Sequence, residues 1–520
     1  MISIANINMP IEYTNDDLKR KCAKLLNIKD RDIISLNISK KSIDARKKDA
    51  LCYVLKVDLE IKNNVKYNTK YITPYISKEF IIPKAKTDKK VLVIGTGPAG
   101  LFCSLVLAKA GLKPILIERG NSVEERLKDI NEYFNNSHFN PKSNTIFGEG
   151  GAGTFSDGKL NTNLNDPKIN FILKEFVKYG AHEDLLYNAK PHVGTDCLIN
   201  VLKNMRKELS SLGCSYRFNS TLVDIDLNNV AYIKNDGKIY KEDFDCLVLA
   251  IGHSARDTFE MLYNKGLIME QKSFSMGVRI EHKREMIDKS QYGDSVSALK
   301  LGAASYKLAT HLDNGRGVYT FCMCPGGMVV PANSSSGMIG VNGMSYYARD
   351  MENSNSALLV DVRTTDFESN HPLSGFKLQE KYEKLAYECS NSYKAPIQLV
   401  GDFLENRISS KIGDVKPSYP LGYVFYDLHK LLPNFVSESL EKGLLEFDKK
   451  IKGFASYDAV LTGIETRSSS PVRIIRDKNY QCNLSNIYPI GEGAGYAGGI
   501  TSAALDGIHC ALKIIESDVE

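Results

Sequence analysis

The sequence predicts an α/β protein in which a parallel-sheet domain holds an inserted α+β domain and follows a small N-terminal α+β domain. Three observations carry this prediction. An apolar strand, a glycine-rich turn and a helix occur in that order near residue 91, and the same three parts recur near residue 487. The first 82 residues show a separate β-α-β-β pattern. Strand–turn–helix units build doubly wound sheets.

Composition limits the class of protein. The chain has 520 residues, of which 43% are hydrophobic and 25% charged, as expected for a globular protein of several domains. Its net charge is +5 and no long Lys/Arg block occurs, so nucleic acid is not expected as a partner. The apolar segment VLVIGTGPAGLFCSLVLAKAG is divided by Gly and Pro, and the N-terminus lacks a basic region before an apolar one. Eleven scattered Cys suggest no disulfide framework and no metal site, so we expect a cytoplasmic protein without a membrane partner.

The N-terminal domain is predicted to span residues 1–82. The segment TNDDLKRKCAKLLN predicts a helix, and alternating segments before and after it predict three strands. This pattern is typical of a ferredoxin-like α+β domain. Residues 83–90, rich in Lys, are the predicted linker.

Three further segments complete the predicted organisation. Residues 91–273 and 461–520 are the first and the C-terminal part of one parallel-sheet domain. Residues 274–460 contain alternating segments and helical stretches, and they are predicted to form an inserted substrate-binding domain.

The first glycine-rich unit reads KKVLVIGTGPAGLFCSLVLAKAGLKPILIERG. Gly95, Gly97 and Gly100 have the G-x-G-x-x-G spacing, which permits a tight turn, close approach of a pyrophosphate, and close helix–strand packing. Pro98 and Ala99 begin the helix, whose unpaired backbone N–H groups are placed to bind phosphate.

An acid ends the second strand of this unit. Glu118 can accept hydrogen bonds from ribose hydroxyls, and its charge argues against a ribose 2′-phosphate. Arg119 follows it and is included among the predicted cofactor contacts. The alternative interpretation of the whole unit is a glycine-rich turn without a ligand.

The second unit, IYPIGEGAGYAGGITSAALDGIHCA, decides between NAD and FAD. A nicotinamide-binding domain does not need a second strand–glycine–helix unit, whereas the ribityl chain and the isoalloxazine of FAD require a further backbone surface. The sequence therefore predicts FAD as the cofactor and a Rossmann-like FAD-binding domain. The predicted contacts are Gly252, at the end of the strand in DCLVLAIGHSA, together with Gly491, Glu492, Gly493, Gly499 and Ile500.

These three elements resemble the FAD contacts of the glutathione-reductase-like FAD/NAD(P)-binding flavoprotein superfamily. More narrowly, NTIFGEGGAGTFSDGKLNT, YTFCMCPGG, VNGMSYYARD and TGIETRSSSPVRI resemble a bacterial family of uncharacterised FAD-dependent dehydrogenases, which also has a small N-terminal domain. Many superfamily members have Asp where this chain has Glu492, and the resemblance implies that this residue bonds the ribityl chain.

The segment GEGGAGTFSDGK contains five glycines in residues 148–158. In the related flavoproteins a loop at this place passes beside the flavin, so the resemblance implies contacts from Gly151 and Gly153. Thr154 and Ser156 can donate hydrogen bonds to phosphate or to flavin oxygens, as can Lys159. The alternative is an ordinary glycine-rich surface loop.

Candidates for the chemistry are Cys322, Cys324 and Lys159. Residues i and i+2 of a strand face the same side, so both thiols can point at one cavity. Buried structural cysteines are the alternative, since the usual redox motif is C-x-x-C.

Four other polar residues carry two interpretations each. Arg467 and Arg473 could bind an anionic substrate or the flavin. A solvated or salt-bridged role is the equal alternative. His253 is more typical of a structural role, and Glu149 beside the glycines is a possible base without further support.

The leading hypothesis is an FAD-dependent oxidoreductase that moves a hydride or an electron pair between flavin N5 and an unidentified small-molecule substrate. No second complete G-x-G-x-x-G unit with its acid occurs between residues 120 and 480, so a transient NAD(P)H is one reductant among several. The alternative is a flavin-binding regulatory or RNA-associated protein that uses its N-terminal domain.

Overall fold

The fold is given by a computed structural model that describes residues 1–62, 70–76, 79–226, 228–295 and 297–517. Strands and helices are numbered below in chain order. Among the described residues, no helix combines the length and the apolar character that crossing a membrane requires.

The N-terminal region is a four-stranded antiparallel sheet with one described helix. The strand order β2-β3-β1-β4 places β3 between two strands that run parallel to each other and are joined through α1. The sequence pattern predicts all of these elements except the short β4. The elements are β1 (Ile2–Pro10), α1 (Asn15–Leu26), β2 (Ile33–Asp44), β3 (Cys52–Ile61) and β4 (Ile72–Pro74).

The second region follows the linker and begins the parallel-sheet domain. Its elements are β5 (Val91–Ile94), α2 (Pro98–Ala110), β6 (Ile115–Ile117), α3 (Val123–Asn136), α4 (Lys168–Lys178), α5 (Thr195–Ser211), β7 (Ser215–Arg217), β8 (Ser220–Asp226), β9 (Val230–Asn235), β10 (Lys238–Asp243), β11 (Cys246–Leu249), α6 (Arg256–Asn264) and β12 (Met269–Gln271).

The third region is built on a larger sheet. Its elements are β13 (Phe274–Lys283), α7 (Arg284–Tyr292), β14 (Ala309–His311), β15 (Gly317–Cys324), β16 (Met328–Pro331), β17 (Val341–Met344), β18 (Asn353–Val362), α8 (Ser374–Glu388), β19 (Ala395–Leu399), α9 (Val400–Leu404), β20 (Tyr423–Phe425), α10 (Leu428–Leu431), α11 (Asn434–Asp448) and β21 (Val460–Glu465). The chain then returns to the second region through β22 (Val472–Ile474), β23 (Ile487–Pro489) and α12 (Ile500–Glu516).

The parallel sheet joins distant parts of the chain. Its strand order is β23-β11-β5-β6-β7, with β11 pairing in parallel with β5 on one side and with β23 on the other. Since the carboxyl ends of parallel strands meet at one edge of a sheet, the turns after β5, β11 and β23 lie together. A three-stranded antiparallel sheet, β10-β9-β8, packs beside it.

Helix α2 is buried on nearly every side, which explains why its apolar residues show no single stripe. Eleven of its residues are buried, between the sheet and helix α12. The two helices lie so close that a Cβ atom on Gly507 would overlap the carbonyl oxygen of Ala99. This contact fixes the starts of the two helices relative to each other.

The third region is built on a seven-stranded sheet of order β14-β15-β18-β13-β21-β19-β20. Its central strand β13 is buried over nine of its ten residues, because α11 and other elements cover the sheet. Strand β21 lies next to β13 and leads directly back to the parallel-sheet domain, so the two sheets meet along the chain segment that follows Glu465.

Candidate functional site

A single cavity lies at the carboxyl edge of the parallel sheet and extends to the seven-stranded sheet. It encloses about 1590 Å³ of empty space, mouth included. The predicted site residues that line it are Gly95, Gly97, Pro98, Ala99, Glu118, Arg119, Gly151, Gly153, Ser156, Lys159, Gly252, Cys322, Cys324, Gly491, Glu492, Gly499 and Ile500. The structure thus brings the two glycine-rich units, about 400 residues apart, to one cavity.

The turn between β5 and α2 is built as the glycine spacing predicts. Gly95 has φ +102°, and a Cβ atom there would overlap the backbone of Ala250 in the neighbouring strand turn. Gly100 does not line the cavity, because its role is to let the helix pack against the oxygen of Gly95. Helix α2 begins without a side-chain cap, so its first N–H groups face the cavity unpaired.

Helix α12 also begins at the cavity without a side-chain cap. Gly498 and Gly499 precede it, and a Cβ atom on either would meet no protein atom within 4 Å. Gly499 has φ 178°, which any residue adopts. Neither the backbone nor the packing of the protein therefore explains these glycines, whereas a ligand that fills the space beside them does.

The residues present fit FAD. Two uncapped helix starts, with their unpaired N–H groups and positive dipole ends, suit the pyrophosphate and the electron-rich edge of a flavin. The backbones of Gly97 and Gly151 approach each other across the cavity, and a Cβ atom on Gly151 would stand 3.2 Å from the Cα atom of Gly97. Bare main chain on both sides leaves room for a flat and extended cofactor.

The Glu118 carboxylate is more engaged than the sequence suggests. One oxygen accepts from the backbone N–H (3.0 Å) and hydroxyl (2.8 Å) of Thr96, and the other from the N–H groups of Gly120 (3.0 Å) and Gly148 (3.2 Å). Glu118 thus fastens the first glycine turn to the later loop, and its contact with a ribose stays a prediction. Arg119 stacks on the Phe147 ring, 4.5 Å from its centroid.

Arg126 organises the glycine-rich loop, although no motif in the sequence marks it. This arginine of α3 is fully buried and donates to the carbonyl oxygens of Asn144 (2.7 Å), Glu149 (2.7 Å) and Gly151 (3.0 Å). A Cβ atom on Gly148 would overlap its side chain, which gives that glycine a reason other than the flavin. The loop is therefore wound around a buried guanidinium, and only part of it faces the cavity.

Two further predicted cofactor contacts, one in each glycine-rich region, face the protein. Thr154 directs its hydroxyl to the Glu149 carbonyl (3.4 Å) and does not line the cavity, because the loop turns through a short 3₁₀ helix at Ala152–Phe155. Gly493 is likewise outside the cavity wall, since it packs against the backbone of Gly252. Thr154 and Gly493, like Gly100, lie outside the cavity wall, contrary to the predicted set of cofactor contacts.

Glu149 is not placed to act as a base in the cavity. It is fully buried outside the cavity wall, accepts from the Val123 N–H (2.8 Å) and pairs with Arg206 (2.7 Å). Burial raises the pKa of Glu149 to about 7, although Arg206 opposes the shift.

Lys159 lines the cavity but is held by the protein. Its ammonium pairs with Asp157 (2.6 Å) and donates to the Met323 carbonyl. Asp157 also binds Arg349 through both oxygens, at 2.9 and 2.6 Å. Although burial opposes ionisation, these two cations lower the pKa of Asp157 well below its usual range.

The two cysteines of FCMC are not equivalent, and the expectation that both sit on one strand face is wrong. Strand β15 has a bulge between Phe321 and Cys324, and Cys322 has φ +41°. The bulge leaves the Cys322 thiol exposed within the cavity, whereas Cys324 is buried and directs its thiol to the Cys322 carbonyl (3.2 Å). Surrounding protein raises the pKa of Cys322 to about 12, so its sulfur is a thiol at neutral pH.

Arg467 lines the cavity as part of a buried ion network. Its guanidinium donates to Glu383 (2.8 and 3.0 Å), which also binds Arg256 of helix α6 (2.9 and 3.0 Å). Although burial opposes ionisation, Arg256 and Arg467 lower the pKa of Glu383 to about 2. Arg473 lies outside the wall, 3.4 Å from Glu270. Both arginines thus follow the salt-bridge interpretation.

His253 and Glu492 lie together on the cavity wall. His253 follows β11 and Glu492 follows β23, and their Nδ1 and Oε1 atoms are 3.5 Å apart. The pairing of these adjacent parallel strands explains the contact. Among the described residues, no group of three or more His, Cys, Asp or Glu side chains could hold a metal ion.

Three family matches cover much of the chain. Residues 273–468 match the family described as FAD-dependent protein, C-terminal domain-like, and residues 88–128 match an FAD binding domain. Residues 1–60 match a domain of unknown function. FAD is therefore the cofactor, and these matches do not favour the regulatory or RNA-associated hypothesis.

A protein of Clostridium beijerinckii, described as uncharacterized, is 46% identical over 532 residues, which is 99% of this chain and 98% of that protein. Solved structures are similar at low identity. An FAD complex of CtdE is 12% identical with a TM-score of 0.32 over 83% of this chain and 89% of that one. The flavin-dependent halogenase CmlS is also 12% identical, with a TM-score of 0.38 over 83% of this chain and 59% of that one.

Proposed function

We propose that this chain, which belongs to the same family as the Clostridium beijerinckii protein, is an oxidoreductase that transfers a hydride or an electron pair between FAD and a small-molecule substrate. One observation carries the proposal. The cavity with the two glycine-rich units continues without a break to Cys322 and Glu465 of the seven-stranded sheet and to Asn342 of the two-stranded sheet β16-β17 beside it. A substrate that contacts these side chains lies in the same cavity as the cofactor.

The residues that would hold FAD lie on the parallel-sheet side. The uncapped starts of α2 and α12 would bind its polar groups, and the loop wound around Arg126 would border it. Bound FAD supplies the acceptor or donor of two electrons. This arrangement is the basis for proposing a glutathione-reductase-like, Rossmann-like FAD-binding domain.

Residues 274–460, which contain most of the seven-stranded sheet, form the proposed substrate-binding domain. Its contribution is a wall that excludes water and orients the substrate. Because the described part of the chain contains one parallel sheet, a transient NAD(P)H is proposed as one reductant and not as a resident ligand. All eleven cysteines carry free thiols, which supports a reducing, cytoplasmic location as part of the proposal.

The test is anaerobic reduction of the purified protein. We expect FAD to co-purify or bind on reconstitution, and its visible absorbance to be lost on titration with NADH, NADPH or one member of a metabolite panel. A flavin that stays bound but exchanges electrons with no donor or acceptor in the panel would contradict an oxidoreductase. A protein that takes up no flavin would contradict the cofactor assignment itself.

A further inference from the structure

A buried arginine holds three groups of the cavity wall at once. Arg279 of β13 is fully buried, and all five of its N–H groups are used. It donates to both oxygens of Glu465 (2.6 and 3.3 Å), to the Cys322 carbonyl (2.9 Å) and to the side-chain oxygens of Asn342 (2.6 Å) and Asn355 (3.0 Å). We call Arg279, Cys322, Asn342 and Glu465 the Arg279 cluster; its last three members line the cavity.

The hydrogen bonds of the cluster fix the orientation of the Asn342 amide. Its oxygen accepts from Arg279 Nη2 (2.6 Å) and from the backbone N–H of Gly343 (2.8 Å). Both partners are donors, so the atom that faces them must be the oxygen and not the nitrogen. The Nδ2 group is left without a hydrogen-bond partner among the described residues, on a side chain that is partly exposed and lines the cavity. The wall therefore presents a fixed donor.

The Cys322 thiol is a second, weaker hydrogen-bond donor on the same wall as Asn342. The bulge in β15 gives Cys322 its positive φ, and the bond from Arg279 to the Cys322 carbonyl holds the bulge in place. Non-glycine residues with positive φ are uncommon and persist where the surroundings determine them. The thiol is exposed in the cavity, and it keeps its proton at neutral pH because its pKa is raised.

The cluster is neutral as a whole. Arg279 and Glu465 form an ion pair at 2.6 Å whose charges cancel, and Asn342 and the Cys322 thiol carry none. Lys159 lines the same cavity outside the cluster, where its ammonium is bound by the Met323 carbonyl and by Asp157, which also pairs with Arg349. A charged group brought against this wall would lose its hydration without gaining a counter-ion of its own. A neutral hydrogen-bond acceptor would gain two donors.

We infer that the Arg279 cluster is a subsite for a neutral substrate group with an acceptor oxygen, such as a ketone or quinone carbonyl, which takes hydrogen bonds from Asn342 Nδ2 and the Cys322 thiol. This inference names a substrate class for the proposed function and rests on it. Neither the family matches nor the sequence motifs assign a role to Asn342 or Arg279.

The test measures binding to the FAD-loaded protein by titration calorimetry, with three probes of one shape. Acetophenone offers a neutral carbonyl oxygen, α-methylstyrene replaces that oxygen by a CH₂ group, and benzoate carries a charge. We expect acetophenone to bind at least about tenfold more tightly than either of the other two, since α-methylstyrene leaves the Asn342 donor unpaired and benzoate gains no counter-ion. Tighter binding of benzoate, equal binding of α-methylstyrene, or no binding of acetophenone would each overturn the inference.

Substitutions in the cluster separate this inference from the proposed function. Asn342→Asp keeps an oxygen for Arg279 but replaces the cavity-facing donor by an acceptor, so acetophenone should bind about tenfold more weakly. Cys322→Ala should weaken acetophenone binding by a smaller factor, and Cys322→Ser, which keeps a donor, should leave it close to that of the unmodified protein. FAD content, read from the visible spectrum, should stay unchanged in all three. Unchanged acetophenone affinity in Asn342→Asp contradicts the subsite, whereas a bound flavin that exchanges electrons with no donor or acceptor contradicts the proposed function.

Discussion

The two walls of the cavity are built in different ways. The parallel-sheet wall is made of main chain, with glycines and helix starts that present N–H groups and leave space. The opposite wall, from the seven-stranded sheet and the neighbouring strand β17, is made of side chains that a buried arginine holds in place. The first wall is specified by short local segments, and the second by contacts between strands that are far apart in the sequence.

This difference determines what the sequence can reveal. The spacing of Gly95, Gly97 and Gly100 predicts a turn and a helix start because all three act within one local unit. Asn342 carries no comparable signal, since its role depends on Arg279, 63 residues away. Four predictions, from the largest expected effect to the smallest, test or sharpen this contrast.

The largest effect is expected on the main-chain wall. Gly499→Val should abolish FAD binding, or weaken it at least about a hundredfold, because the new side chain occupies the space left for the cofactor, where its Cβ atom meets no described protein atom within 4 Å. Thermal unfolding of the FAD-free protein should change little, since φ 178° suits any residue. Gly507→Val is the matched control. It should destabilise the FAD-free protein strongly, because its Cβ atom overlaps Ala99. Equal destabilisation by both would show that Gly499 serves packing.

The second prediction concerns the ion network where the two regions meet. Among the described residues, Glu383→Gln leaves Arg467 buried without a counter-ion and Arg256 with only the longer pair to Glu380 (3.7 Å), so the free energy of unfolding should fall by about 3–5 kcal/mol. In the unmodified protein the pKa of Glu383 is lowered to about 2 from its ordinary 4.5. Its contribution is therefore complete above pH 4.5 and is lost as the pH falls toward 2.

The pH dependence supplies a control for the second prediction. Chemical denaturation between pH 5 and 2 should show a steeper loss of stability in the unmodified protein than in Glu383→Gln. Parallel stability curves for the two proteins would mean that Glu383 titrates normally and that the ion network does not stabilise the contact between the two regions.

The sequence predicts the glycines and helix starts of the main-chain wall but not the arginine that supports them. The loop of residues 148–158 was predicted to contact the flavin because of its glycines, and Gly151 and Gly153 do line the cavity. Gly148 also lines the cavity, but it makes room for Arg126 as well, which lies in an otherwise ordinary amphipathic helix. A buried arginine and a surface arginine look alike in a sequence, because only tertiary packing decides which one is desolvated.

The third prediction tests this hidden support. Arg126→Lys keeps a charge but cannot reach three carbonyl oxygens with a planar fork, so the loop should lose its fixed shape. We expect FAD affinity to fall about tenfold, as measured by recovery of flavin fluorescence on dilution. Arg119→Lys is a useful comparison on the same wall, since Arg119 contacts the loop by stacking on Phe147. A larger effect from Arg119→Lys would place the main support of the loop at Phe147.

The expectation for the cysteines failed for a specific physical reason. Alternation along a strand holds only where the strand is regular, and the bulge at Phe321–Cys324 shifts the register by one residue. No residue in FCMC is typical of a bulge. The contact that holds the bulge comes from outside the segment, since Arg279 donates a hydrogen bond to the Cys322 carbonyl.

The smallest effect is expected at this bulge. Cys322→Gly should raise the free energy of unfolding by up to about 1 kcal/mol, because glycine adopts φ +41° without the cost that a side chain incurs there. Cys324→Gly is the control. This neighbour is buried in a β conformation, so the same substitution should destabilise the protein through lost packing and greater backbone freedom. Urea denaturation of both variants gives the comparison. If Cys322→Gly were also destabilising, the bulge would be a relaxed conformation of this strand, and the side-chain wall would not depend on Arg279 to hold the thiol in the cavity.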